Sequence, residues 1–211
     1  MPGTPLHLLQ PAAGRRWSRT DPVLARLSRL TPLGPWPLAR ADPFDALVQA
    51  FCHQQVSMAA GAAIARRLEQ TLGGAPTPRR VLAVGLEGLR AAGLSRAKAV
   101  YVQDLARKVD AGEVPFSQFD AWSDDDVLEA LGRVRGIGPW TAKMFLLFHL
   151  QRPDVSCPED LGLRLAVAQA YGVPPEAAGS EMEQRRAAWS PYNSVAARVL
   201  WQWRRQSMAT P

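Results

Sequence analysis

Two features of this 211-residue sequence could do chemistry: a glycine-rich turn within Leu131-Gly132-Arg133-Val134-Arg135-Gly136-Ile137-Gly138-Pro139-Trp140-Thr141-Ala142-Lys143, and a carboxylate at Asp160. In the turn, Gly136 and Gly138 permit positive φ and close approach of another backbone. Pro139 falls at a first helical position, where its missing N–H costs nothing. Amides of such a turn point outward at the positive end of the following helix dipole, which makes an anion site. The turn contains no lysine, so it is not a P-loop, and no strand precedes it, so it is not a dinucleotide fingerprint. What remains is a helix–hairpin–helix that grips one nucleic-acid phosphate through its main chain. An ordinary interhelical turn is the blander reading of Gly-x-Gly taken alone. Asp160 lies in Val155-Ser156-Cys157-Pro158-Glu159-Asp160-Leu161-Gly162, just ahead of a helical pattern, and so reads as an N-cap. A carboxylate held at a helix start suits stabilisation of a developing cation, or activation of water, better than acid catalysis. Capping and chemistry are compatible there, and Glu159 is the competing carboxylate.

The elements that must position these groups read as helices throughout. Residues 1–19, rich in Pro, Gly and Arg, are expected to form an irregular arm, followed by a short helix from Asp21 to Leu30 and a Pro-rich connection from Thr31 to Pro37. Asp42-Pro43 reads as N-cap plus first helical residue. Phe44, Leu47, Val48 and Phe51 then recur at helical spacing and define an apolar face. Ser57 caps a second helix that Gly73-Gly74 stops after Leu72. Short helices are expected over 78–84 and 86–92. Another opens at Ser95, buries Val102, Leu105, Ala106 and Val109, and closes at Gly112. Ser123 with Asp126 makes a capping-box-like start to the first hairpin helix. The second, 139–150, is apolar nearly all round and is expected to be central. Helices near 159–171, 180–189 and 191–205 complete an all-α chain without internal repeats.

Composition narrows the partner. Twenty-five basic residues against nineteen acidic ones, with an isoelectric point near 10.0, favour a polyanion. Cys52 and Cys157 sit in apolar surroundings and are expected as buried, reduced thiols of a reducing compartment. Two cysteines cannot ligate an iron–sulfur cluster, which needs four. Zinc is disfavoured because His7, His53 and His149 lie far apart. No apolar run approaches the ~20 residues of a membrane span, so a cytoplasmic protein with no membrane partner is expected.

The stretch Gly136-Ile137-Gly138-Pro139-Trp140-Thr141-Ala142 followed by Pro158-Glu159-Asp160 resembles the helix-hairpin-helix (HhH-GPD) DNA glycosylases, and within them the bacterial 3-methyladenine DNA glycosylase II group and its eukaryotic relatives. The resemblance runs from Ala41 to Arg205 and includes Gln54-Gln55-Val56-Ser57 and Trp189-Ser190-Pro191-Tyr192. It implies a two-lobed helical fold with the site in the cleft between lobes. The short stretch ahead of Phe44 leads us to expect a version lacking the N-terminal β domain of larger relatives. Residues 1–40 would be an arm with a short helix, and 41–211 the glycosylase domain, with the N-terminal segment packing on the second lobe.

The resemblance also implies roles. Asp160 matches the family's catalytic aspartate. Trp140 falls where bifunctional members carry a Schiff-base lysine, so hydrolysis of the N-glycosidic bond without strand scission is expected. Lys143 is then a phosphate contact or a solvated charge rather than a nucleophile, because such amines need desolvation to act. The target nucleotide must be flipped out of the duplex, and an apolar or amide wedge fills the gap. Gln55, with Val56 beside it, matches that wedge, although related bacterial enzymes place a leucine there. Trp140, Met144 and Tyr192 match walls of the base pocket, with Phe44 and Phe51 as weaker candidates that ordinary core packing would also explain. Relatives carry Tyr and Trp at the positions of Met144 and Tyr192, so a roomier pocket is expected. Electron-rich rings attract cationic alkylpurines by about 0.5–2 kcal/mol. Phosphate contacts would come from Gly136, Gly138, Arg135 and Lys143, with Arg133 and Arg164 as further nearby charges. Carbonyls of Gly132, Val134 and Ile137 match a site for a sodium or potassium ion, and no cofactor is required. The partner would be double-stranded DNA with alkylated bases, bound by a monomer. Two rivals stay open: a non-catalytic binder of damaged DNA, and an oxidised-purine glycosylase/lyase, against which the missing lysine argues.

Overall fold

The computed structural model describes residues 4–35 and 42–209, and within them it contains eleven α-helices, one short 3-10 turn and no strand. Trp36 and part of the Pro-rich connection lie outside the described residues. The chain divides into two units, one formed by Met1–Leu38 with Leu146–Pro211 and the other by Ala39–Phe145. No helix among the described residues is long and apolar enough to cross a membrane.

In the first unit, α1 (Leu6–Thr20) corrects the expected irregular arm. Its Pro11 and Gly14 argue against a helix locally. However, Leu6, Gln10, Ala13 and Trp17 recur on one face and are buried, and burying an aromatic that size outweighs the ~3 kcal/mol cost of an interior proline. Gln10 then closes the end of the next helix, α2 (Pro22–Leu30): its Nε2 donates to the carbonyls of Ser28 (2.9 Å) and Thr31 (2.8 Å). These are carbonyls a helix end leaves without partners.

Asp21 caps α2 through the Leu24 amide at 3.0 Å, and its side chain is fully buried. Its other oxygen draws in α9 (Leu161–Tyr171) and α10 (Ala178–Trp189). It accepts from the Tyr171 hydroxyl (2.8 Å), the Trp189 indole (2.8 Å) and Arg185 Nη1 (3.3 Å). Burial, reinforced by the Asp21 carboxylate, pushes the Tyr171 hydroxyl far above its ordinary value, so it serves Asp21 as a donor. Arg185 also lies 4.1 Å over the Tyr171 ring. The last helix, α11 (Asn193–Ala209), packs on α1, α2 and α9 with its first eight residues buried. Asp154 fixes its start by accepting from the Ser190 hydroxyl (2.7 Å) and the Asn193 amide (3.1 Å), which sets the turn carrying Tyr192.

In the second unit, α3 (Pro43–His53) begins as its sequence reads, with Asp42 accepting the Asp45 amide at 2.8 Å. Its inner face packs on α4 (Met58–Leu72), capped by Ser57 and ended by Gly73, and on α6 (Arg96–Asp110), capped by Ser95. The two short helices expected between these are the arms of α5 (Pro78–Ala91), broken where Gly85 takes φ 64°. The 3-10 turn spans Phe116–Gln118. α7 (Asp124–Gly132) opens with a complete capping box in which Asp126 does the work usually given to Glu or Gln. The turn after it leads into α8 (Pro139–Phe148), and the boundary between units falls within that helix. Phe145 is buried against Phe116 and Phe119, and Trp122 packs at a tilt on Phe119. Cys52 and Cys157 are buried and form no disulfide, as their apolar surroundings suggest.

Candidate nucleic-acid interface and active site

The turn between α7 and α8 folds because its own groups close it. The Val134 amide donates to the Leu131 carbonyl (3.0 Å), Ile137 to Val134 (3.1 Å) and Ala142 to Gly138 (3.0 Å). The Arg135 amide donates to the Asp104 carboxylate at 2.9 Å. Among the described residues, the amides of Gly136 and Gly138 donate to no other group. They are therefore the amides available to a phosphate oxygen. The two glycines differ, and only Gly136 has to be a glycine. Gly136 takes φ 81°, and a Cβ there would clash with Cγ and Cδ2 of the Tyr101 ring. Gly138 has an ordinary φ and open space where its Cβ would be, which corrects the expectation of positive φ at both positions. Arg135 is exposed and Lys143 half-buried. Arg133 is paired with Glu129 at 2.6 Å. Arg164 Nη2 donates to the Pro175 carbonyl at 3.2 Å and the Glu176 carbonyl at 3.4 Å.

The same unit brings the Gln54–Ser57 loop against this turn. Gln54 Nε2 donates to the Gly136 carbonyl at 3.2 Å. Lys98 Nζ donates to the carbonyls of Gln54 (2.6 Å) and Cys52 (3.3 Å), closing the end of α3. Gln55 is exposed at φ 55°, a left-handed conformation uncommon for a residue with a Cβ, and Val56 beside it is exposed as well. Neither Gln54 nor Lys98 carries a local signal for these contacts, since Lys98 reads only as a helical residue after its Ser95 cap.

Trp140 stands in the first turn of α8 with 45% of its surface exposed. The expectation of a helix buried all round is thus corrected: Phe145, Leu146 and Leu147 are buried, whereas Trp140 is open and Met144 half-buried. Phe44 needs correction too. At 2% exposure it offers no surface to a base, and like Phe51 it belongs to the core of its unit.

Asp160 and Tyr192 belong to the other unit, and Tyr192 is half-buried. Asp160 is the N-cap of α9, with Oδ1 accepting the Leu163 amide at 2.6 Å. The same oxygen accepts from the Trp201 indole N–H at 2.9 Å. Trp201, which the sequence left without a role, is itself stacked on Phe148 with ring centroids 5.6 Å apart. A Cβ at Gly162 would lie 3.3 Å from Asp160 Oδ1 and 3.4 Å from Trp201 Nε1, so the missing side chain leaves room for this pair. Glu159 is exposed, while Asp160 is half-buried. Its capping and indole bonds fix the Asp160 carboxylate in one orientation.

Among the described residues no three His, Cys, Asp or Glu side chains gather in a way that could hold a metal ion. At the positions that match a cation site, Gly132, Val134 and Ile137 offer main-chain carbonyls, neutral oxygens of a kind that suits a monovalent cation better than zinc. Val134 already accepts the Ile137 amide, and a carbonyl has a second lone pair for an ion.

Comparison with known proteins places this arrangement. The chain is 32% identical to a DNA-3-methyladenine glycosidase from Bacillus halodurans of known structure, with a TM-score of 0.80 over 92% of this chain and 88% of that one. The Schizosaccharomyces pombe 3-methyladenine DNA glycosylase Mag1, solved in complex with abasic DNA, is 27% identical with a TM-score of 0.78, over 90% of this chain and 95% of that one. A Bacillus subtilis relative, 27% identical over 75% of this chain, is longer, and the chain spans 58% of its length. The model of the HhH-GPD superfamily of base excision DNA repair proteins matches residues 48–191. The chain belongs to that superfamily.

Proposed function

We propose that this chain is a monofunctional DNA glycosylase that excises alkylated purines, such as 3-methyladenine and 7-methylguanine, from double-stranded DNA. The observation that carries the reading is the Asp160 carboxylate, oriented by the Leu163 amide and the Trp201 indole at the start of α9. A protein that only bound DNA would gain nothing from a fixed negative charge beside a phosphodiester. The names and structures of the relatives support the substrate class.

The amides of Gly136 and Gly138 grip a phosphate, and Gln55 with Val56 enters the space left by the everted nucleotide. Trp140 and Met144 receive the base, and the Trp140 ring favours its positive charge. As the C1′–N bond breaks, its electron pair returns to the cationic purine, which leaves neutral. Positive charge develops on the sugar and is stabilised by the Asp160 carboxylate. Water then bonds to C1′ and gives its proton to that carboxylate or to solvent. Trp140 provides no amine for a Schiff base, so the strand stays intact. Gly132, Val134 and Ile137 would hold a sodium or potassium ion, which would supply positive charge to favour an anionic backbone. We infer a monomer acting on DNA in the cell interior.

The test is a panel of duplexes, each with one defined lesion, scored for released free base. Wild-type protein should release alkylpurines, and Asp160→Asn should bind the same duplexes while excision falls by about 10²-fold or more. Wild-type rates from Asp160→Asn, or no release from any lesion, would end this reading.

A further inference from the structure

One face of α6 touches both parts of the DNA-handling surface of its unit. Lys98, Tyr101 and Asp104 recur at three-residue spacing, so they lie side by side along the helix. Lys98 holds the Gln54 and Cys52 carbonyls at the wedge loop. Tyr101 packs on Gly136 so closely that no Cβ fits, and Asp104 accepts the Arg135 amide in the phosphate turn. Gln54 closes the circuit by donating to the Gly136 carbonyl at 3.2 Å. The Gln54 carbonyl belongs to the peptide plane directly before Gln55. Clamping that oxygen therefore orients the one exposed residue of the loop that stands in the left-handed region.

We propose that this face of α6 fixes the register between the wedge and the phosphate grip, with Lys98 and Gln54 as positioning residues for nucleotide extrusion. The inference rests on the glycosylase reading. Neither residue touches the base. Each acts through Gln55, by holding its backbone at a set distance from the amides that anchor the strand. A wedge free to swing would still allow the turn to grip a phosphate, but it would lose the coincidence of grip and insertion that extrusion requires.

The plain alternative is that Lys98 only closes the end of α3. The two separate in a double-mutant cycle. Lys98→Met, Lys98→Arg and Gln54→Ala are made in wild-type and Gln55→Ala backgrounds. Each is measured for affinity to undamaged duplex and to duplex with an abasic-site analogue, for single-turnover release of 7-methylguanine, and for thermal midpoint. Lys98→Met and Gln54→Ala should lower the preference for abasic duplex by about tenfold while undamaged duplex binds within about twofold of wild type, and Lys98→Arg should restore part of the loss. In the Gln55→Ala background the same changes should cost less than about threefold, because the wedge they position is gone. Losses that multiply across backgrounds, or that fall equally on both duplexes, would overturn the inference. If Lys98→Met lowers the thermal midpoint substantially, Gln54→Ala decides alone. A wild type that excises and prefers abasic duplex, with both variants unchanged, sinks the positioning role only. A wild type that does neither sinks the glycosylase reading as well.

Discussion

Gly162→Ala adds one carbon beside the Asp160–Trp201 pair and should separate activity from stability. The new Cβ would stand 3.3 Å from Asp160 Oδ1, 3.4 Å from Trp201 Nε1 and 3.6 Å from Trp201 Cδ1. Contacts that close force the pair apart by a few tenths of an ångström. The 2.9 Å indole bond is the one that can yield, because the Leu163 amide is fixed in the helix. A hydrogen bond to a charged acceptor is worth about 1.5–3 kcal/mol. Losing roughly half of it, where each 1.4 kcal/mol is a factor of ten in rate, predicts excision slower by about three- to tenfold. The helix responds in the other direction, since alanine is favoured over glycine by up to about 1 kcal/mol. The assay is single-turnover release of 7-methylguanine from a defined duplex, run beside a thermal melt. Excision should fall while the melting temperature holds or rises. Trp201→Phe keeps a ring over Phe148 but removes the donor, so Gly162→Ala should then cost little more. An excision rate within twofold of wild type, or a loss matched by a drop in melting temperature, would refute the claim that the indole orients the carboxylate.

Other outcomes follow from the same contacts. Asp21→Ala strips the partner from the Tyr171 hydroxyl, the Trp189 indole and Arg185 together, and should cost about 3–5 kcal/mol in urea unfolding; a loss below about 1 kcal/mol would mean that the network contributes no more than a surface pair. Gln55→Ala should weaken binding to abasic-site duplex, and unchanged affinity would remove Gln55 as the wedge. Borohydride added during reaction on lesion duplex should leave no covalent adduct, since Trp140 stands where an amine would be needed; a trapped complex would point to Lys143 as a nucleophile.

The local features of this chain were written into it. Asp42, Ser57, Ser95 and Ser123 start helices where the sequence places them, because a cap involves residues within one turn of each other. The hairpin and the Asp160 cap were legible for the same reason, and so was the family. Tertiary structure decided what depended on distant partners. Residues 6–20 became helical only because Trp17 and its neighbours found a core to enter, against their own proline and glycine. Phe44 went to the core, although periodicity alone could not distinguish a core face from a pocket wall. The indole on Asp160 and the lysine on the Gln54–Ser57 loop come from far along the chain, at Trp201 and Lys98. Hydrogen bonds across such separations leave no period or spacing in a sequence, since they arise only when packing of apolar faces has already fixed where each helix lies.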